Sequence, residues 1–202
     1  MVKASANPTR VIGIDPGLNI TGYGVVECCA GEVKLVEAGV IRLPRSRGEN
    51  LPTRLGSLFS ELREVMDEFQ PQMMCLEDVY SHTGYPKTSI LMGHARGVIC
   101  LAAQQASVPV VSLSAKRIKQ SVTGNGNASK LQVQRAVQQF FSLHRTPNPP
   151  DVADALAAAL CYINSLRQGK NGRHTAQRLQ GQSMAAVKNR RLQGAALKGE
   201  NL

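Results

Sequence analysis

GIDPGLNITGYGVV, running from Gly13 to Val26, sets an aspartate at the end of an apolar run and breaks the chain with Pro16-Gly17 before it turns apolar again. Proline fixes its own backbone angle and glycine accepts conformations that other residues avoid, so the pair reads as a sharp turn between strands. Working outward, Thr9 to Asp15, Gly22 to Cys28 and Glu32 to Arg42 are three successive strands, with Ala30-Gly31 as the second hairpin signal. They predict an antiparallel meander.

Downstream the period changes. Leu51, Leu55, Leu58, Leu62, Val65, Met66 and Phe69 recur at three and four residues, one face of a helix. Met73 to Leu76 follows Gln70-Pro71, is too short for a helix, and ends directly on Glu77, so it reads as a buried strand with an acid at its tip. A helix over Ser89 to Gln105 follows, then a β-branched strand over Val108 to Leu113 and a short helix over Ala115 to Val122. The turn GNGN spans Gly124 to Asn127, and Ser129 caps a helix reaching about Phe141. RTPNPP, Arg145 to Pro150, is a rigid connection, after which Asp151 opens the last helix with an acid at its positive end. The predicted class is α/β, with a mixed five-stranded sheet flanked by helices.

The 202 residues, 43% of them hydrophobic, suit one main globular domain. No stretch approaches the roughly 18 apolar residues of a membrane span, and MVKASANPTR lacks the apolar core of a secretory signal, so the expectation is a soluble, cytoplasmic protein. Cys28, Cys29, Cys75, Cys100 and Cys161 include no C-x-x-C and read as reduced core residues. From Arg167 onward there are eight Lys or Arg against one acid, a charge of +7 that leaves +3 of the chain's +10 for the rest. The expected division is therefore a folded domain over 1–166 and a basic tail over 167–202. That tail is either solvated and disordered or adds sequence-independent attraction to phosphates.

Asp15 and Glu77 each end a buried strand, and Asp151 and Asp154 stand three apart on the first turn of one helix. All four can converge at the carboxyl edge of the sheet, where ligands of α/β folds usually bind. Gathered carboxylates repel one another unless divalent cations lie between them, and hard oxygen ligands favour Mg²⁺ or Mn²⁺. Two such ions suit phosphodiester chemistry. Taken singly, Asp15 is also a turn former, Glu77 a solvated strand end and Asp151 a helix cap; Asp154 is harder to dismiss among Val152, Ala153, Ala155, Leu156 and Ala157.

On GIDPG with TGYGVV, LEDVY, GHARGV, KRIKQSVTGNGNASKLQV and DVADALA, in that order over about Val11 to Ile163, the sequence closely resembles the RuvC-type Holliday junction resolvases of the ribonuclease H-like superfamily. The resemblance implies that fold and a nuclease that resolves four-way DNA junctions by paired symmetric nicks, in recombination and repair. It implies Asp15, Glu77, Asp151 and Asp154 as catalytic, metal-binding acids, all carboxylates where some members carry a histidine at the position of Asp151, holding two Mg²⁺ per subunit with Mn²⁺ as a substitute. Lys119 and Lys130 match lysines that serve cleavage and junction binding, and Tyr80 matches an aromatic wedge against unstacked bases. Lys116 and Arg117 extend the basic strip along the DNA backbone, and Arg96 in GHARG is a candidate for DNA contact or for close helix packing. The implied partners are the four-way junction, a second copy in a homodimer, and a branch-migration complex of RuvA and RuvB type. Asp78 could compete for metal, although strand alternation would turn it to the opposite face from Glu77.

Two other classes are weighed on the same residues. An actin- or Hsp70-type ATPase also opens on D-x-G but needs two lobes, and GNGNASKL departs from the phosphate-loop pattern at Ser129 and Leu131. A junction binder without catalysis has no need of all four acids.

Overall fold

The computed structural model describes residues 8–43, 50–78 and 86–167. Tyr80 and the basic stretch after Arg167 lie outside the described residues. The strands are β1 (Thr9–Asp15), β2 (Ile20–Cys29), β3 (Glu32–Arg42), β4 (Met73–Glu77) and β5 (Val110–Leu113), and the helices are α1 (Leu51–Phe69), α2 (Pro86–Gln105), α3 (Ala115–Thr123), α4 (Lys130–Phe140) and α5 (Pro150–Arg167). The chain divides into two units, Met1–Ile163 and Asn164–Leu202, and the sheet and the site belong to the first.

Among the described residues the strands form one mixed sheet in the order β3-β2-β1-β4-β5. The meander β1-β2-β3 is antiparallel, as its turn signals predict, while β4 and β5 join parallel to β1. Alternation along each strand sorts the apolar residues into two layers. Ile12, Ile14, Met74 and Leu76 face Leu58, Leu62 and Met66 of α1 and Ala95 and Ile99 of α2. Val11, Cys75 and Val111 face Ile118 of α3, Val133 and Val137 of α4, and Val152 and Leu156 of α5. Each fully buried Ile, Leu or Met contributes roughly 1.5–3 kcal/mol relative to exposure. This two-sided cover makes β1 and β4 near-continuous apolar runs.

Glycines let α5 lie almost directly on the sheet. A Cβ at Gly13 would stand 2.9 Å from the Ala159 nitrogen and closer still to the Ala155 carbonyl oxygen. At Gly22 it would overlap the Asp151 carbonyl, and at Gly24 the Leu156 side chain. Backbone therefore rests on backbone along β1 and β2.

Several boundaries differ from the sequence expectation. β2 begins at Ile20, because Ile20 already pairs with Arg42. Val108 does not join β5: its N–H donates to the Ala103 carbonyl at 2.9 Å and closes the end of α2, with Ser107 in the left-handed region. Ser129 caps α4 as expected, in a reciprocal capping box with Gln132. Of the cysteines expected in the core, Cys75 and Cys161 are buried, Cys28 and Cys100 half-buried, and Cys29 exposed where the hairpin leaves the sheet. No helix among the described residues is long and apolar enough to cross a membrane.

Candidate active site

Asp15 and Glu77 are the last residues of two adjacent parallel strands whose register runs Ile14 to Leu76 one step earlier. Val11, Gly13 and Asp15 share one face of β1, and Cys75 and Glu77 share the same face of β4, the face that α5 covers. Gly22 pairs with Asp15 across the hairpin and supports the backbone of Asp151, which brings the first turn of α5 to the strand tips. Asp15, Glu77 and Asp154 line one cleft of about 280 Å³; Asp151 is outside that lining but close enough to act on Asp15 and Asp154 through its charge.

The electrostatics record this crowding. Burial pushes the Asp15 carboxyl up to about 7, and Asp154, Glu77 and Asp151 add to the rise while Lys130 opposes it. Burial also raises Glu77, helped by Asp154 and opposed by Lys119 and Lys130. Asp154 is raised by burial and by Asp151, against Lys130 and Lys119. Lys130 Nζ lies 3.7 Å from Asp154 Oδ2, yet its side chain is 78% exposed, so solvent screens much of that attraction.

α3 and α4 deliver the basic groups. Ser114 caps α3 by accepting from the Arg117 N–H, and Lys119 stands on the turn that enters the cleft. Lys116 and Arg117 are exposed on the same helix outside the cleft lining. Arg96 does not line the cleft either: it bonds to the Glu77 carbonyl, Asp78 and Ser112. Asp78 is turned to the α2 side by that pairing, as alternation predicts. Tyr80 lies outside the described residues.

Some contributors escape a reading of the sequence alone. Thr21 is fully buried, and its hydroxyl donates to the Gly17 carbonyl at 2.5 Å while accepting from the Gly17 N–H at 3.2 Å, which pins the turn after Asp15. Arg54 of α1 holds the same turn through the Leu18 carbonyl at 2.7 Å and the Asn19 side chain at 2.6 Å. Met92, Ile118 and Val133 give the cleft an apolar floor. Arg54 carries no local mark because its partners are 35 and 36 residues away, and Thr21 reads as an ordinary strand residue until its hydroxyl is seen to turn back onto Gly17.

The donor set suits a hard divalent cation. It is all carboxylate oxygen, and three of the acids are held above the ordinary carboxylate range by burial and by one another. Among the described residues no three His, Cys, Asp or Glu side chains are gathered closely enough to form a ready-made cage for a metal ion. Mg²⁺-type ions need none, because they keep several waters and take only one or two carboxylates together with substrate phosphates.

The mixed sheet, with three acids lining a cleft at its carboxyl edge, has the ribonuclease H-like architecture. The yeast mitochondrial Holliday junction resolvase Ydc2 superposes with a TM-score of 0.60 over 84% of each chain at 18% identity, which shows the fold. The Thermus thermophilus RuvC structure superposes with a TM-score of 0.71 at 31% identity, covering 80% of this chain and 97% of that one; a second structure shows that protein in complex with Holliday junction substrate. The family model described as crossover junction endodeoxyribonuclease RuvC matches residues 11–162. The relative of that name from Rhodopirellula baltica is 49% identical over 75% of this chain and 84% of its own length, and the one from Moorella thermoacetica 42% over 76% and 90%. The chain belongs to the RuvC family, and is an endodeoxyribonuclease acting on phosphodiester bonds.

Proposed function

We propose that this protein binds four-way DNA junctions and nicks two strands of like polarity symmetrically, with Asp15, Glu77, Asp151 and Asp154 as its catalytic acids. The observation that carries this reading is the acid cluster itself, in which burial and three neighbouring carboxylates push Asp15 to about 7. Such a site is poised for cations, two Mg²⁺ per subunit, with Mn²⁺ able to replace them. When bound, the ions supply an activated water and stabilisation of the leaving oxygen. The residues of the chain do the rest. The four carboxylates would hold the ions. Lys119 sits where a scissile phosphate would enter and offsets charge gained in the transition state. Lys130 steadies Asp154 and reaches outward to the DNA, and Lys116 and Arg117 follow the backbone away from the cleft. Tyr80, three residues beyond Glu77, would stack on an unpaired base, worth about 1–3 kcal/mol.

Two symmetric cuts need two sites, and a two-fold homodimer supplies them. The exposed side of α2 supports this: Ile90 is 60% and Leu101 51% exposed, and a Cβ added at Gly93 or Gly97 meets nothing within 4 Å, so a second helix can approach closely. The folded domain over 1–166 does the chemistry in this reading. The tail over 167–202 adds phosphate attraction, and a branch-migration complex of RuvA and RuvB type presents the junction in the cytoplasm.

The test is cleavage of a synthetic mobile junction with Mg²⁺ or EDTA, against linear duplex, by the wild type and Asp15→Asn. Paired nicks in the junction alone, lost in EDTA and in Asp15→Asn while junction binding in Ca²⁺ survives, are expected. Cleavage retained by Asp15→Asn would refute the assignment of the acids.

A further inference from the structure

Arg96 crosses from α2 to the carboxyl edge of the sheet and is only 22% exposed. Its Nη1 donates to the Glu77 carbonyl at 2.5 Å, and its Nη2 donates to Ser112 Oγ at 2.6 Å and to Asp78 Oδ1 at 3.3 Å. On the other side of the same peptide, the Asp78 N–H donates to the Leu113 carbonyl at 2.9 Å. Both polar atoms of the Glu77–Asp78 peptide are therefore held, the N–H by β5 and the carbonyl by Arg96. Glu77 is the last residue of β4, so beyond the bond to Leu113 no further strand pairing follows, and Arg96 adds the hold on the carbonyl side of this peptide. Without that hold on the carbonyl, the end of β4 is freer to tilt Glu77 away from Asp15 and Asp154, while Asp78, on the opposite face of the sheet, loses its partner.

We propose that Arg96 is a positioning residue for Glu77: by fixing the Glu77–Asp78 peptide and engaging the Asp78 carboxylate, it aims Glu77 at Asp15 and Asp154 and keeps Asp78 out of the cluster. The proposal rests on the reading of Glu77 as one of the catalytic acids. An arginine suits the task because its planar fork reaches a carbonyl, a hydroxyl and a carboxylate together, whereas a lysine offers one compact ammonium. Ala95 and Ile99 beside it are fully buried, so the helix that carries the fork is anchored against the sheet. With three of its N–H groups given to protein acceptors, Arg96 serves the interior of the site in this reading.

The experiment compares the full chain with Arg96→Met, which keeps the stem and removes the fork, and with Arg96→Lys. Mn²⁺ binding to DNA-free protein is measured by calorimetry, junction affinity in Ca²⁺ by gel shift, and single-turnover cleavage across a Mn²⁺ titration. Loss of an outer partner of a metal ligand typically costs 10–100-fold, so Arg96→Met should weaken Mn²⁺ binding and raise the half-saturating Mn²⁺ concentration by about tenfold, with junction affinity unchanged. Arg96→Lys should fall between it and the wild type. In a Glu77→Gln background Arg96→Met should cause no further loss of Mn²⁺ affinity, because the two act as one unit. Thermal melts accompany each variant, and if Arg96→Met does not fold, Ser112→Ala and Arg96→Lys carry the same comparison. Weakened junction binding with an unchanged Mn²⁺ response would make Arg96 a DNA contact and overturn the proposal, as would losses that add with Glu77→Gln. An intact Mn²⁺ response in Glu77→Gln itself would instead remove the catalytic reading of Glu77, and the proposal with it.

Discussion

Changing Asp15 to Asn should abolish cleavage in Mg²⁺ and, with metal removed, stabilise the folded protein at pH 8. Burial, Asp154, Glu77 and Asp151 together raise Asp15 from 3.8 to about 7. Folded Asp15 thus holds its proton more tightly than the unfolded chain does. Between about pH 4 and pH 7 the folded state binds more protons, so its stability falls as pH rises through that window. At 1.36 kcal/mol per unit, a rise of about three units sets a ceiling of roughly 4 kcal/mol at pH 8. Asp15 is only partly enclosed, so solvent in the open cleft cuts this to an expected gain of about 2 kcal/mol for a neutral, near-isosteric Asn. In a domain of this size that is a rise in Tm of about 4–8 °C at pH 8, and roughly a third of that at pH 5, where only the first part of the window has been crossed. The assay is thermal melting by circular dichroism in EDTA from pH 5 to pH 8, repeated with Mg²⁺, which should stabilise the wild type more than the variant. An equal or lower Tm for Asp15→Asn at pH 8, with the wild-type slope against pH retained, would show that the acids are not crowded together in the metal-free fold.

Lys130→Ala removes the cation nearest Asp154, so the acidic limb of the pH–rate profile for junction cleavage should move to higher pH. Gly22→Ala should cost about 3 kcal/mol by urea unfolding, since the new methyl meets the Asp151 backbone, whereas Gly56→Ala, with open space in α1, should gain up to about 1 kcal/mol. Leu101→Glu puts a charge on the exposed apolar face of α2 and should shift sedimentation from dimer to monomer.

Much of the sheet is legible in the sequence because its signals are local. Pro16-Gly17 and Ala30-Gly31 mark the meander, and Glu77 directly after four apolar residues marks the tip of β4. Asp151 and Asp154 share a helix face by spacing alone. The convergence of the four acids is not legible in this way, because it depends on which strand neighbours β1 and on where α5 lies. The structure answers both, through the parallel register of β1 with β4 and the close approach of Asp151 to Gly22. Arg96 shows the limit of local pattern from the other side. In GHARG it is a charge among small residues, equally suited to DNA contact or to packing, and only its three acceptors, on Glu77, Asp78 and Ser112, give it a task.

The glycine track under α5 also bears on how the enzyme fails. Where a helix rests on a sheet through long side chains, rotamer changes give the joint some slack, and an active site can drift out of alignment well below the melting temperature. Here the joint has no such slack along Gly13 and Gly22: the helix that carries two of the acids cannot slide or lift without breaking contact with the strand that carries a third. Heat should therefore leave the constellation aligned until the domain itself opens, so that thermal inactivation and global unfolding are one event.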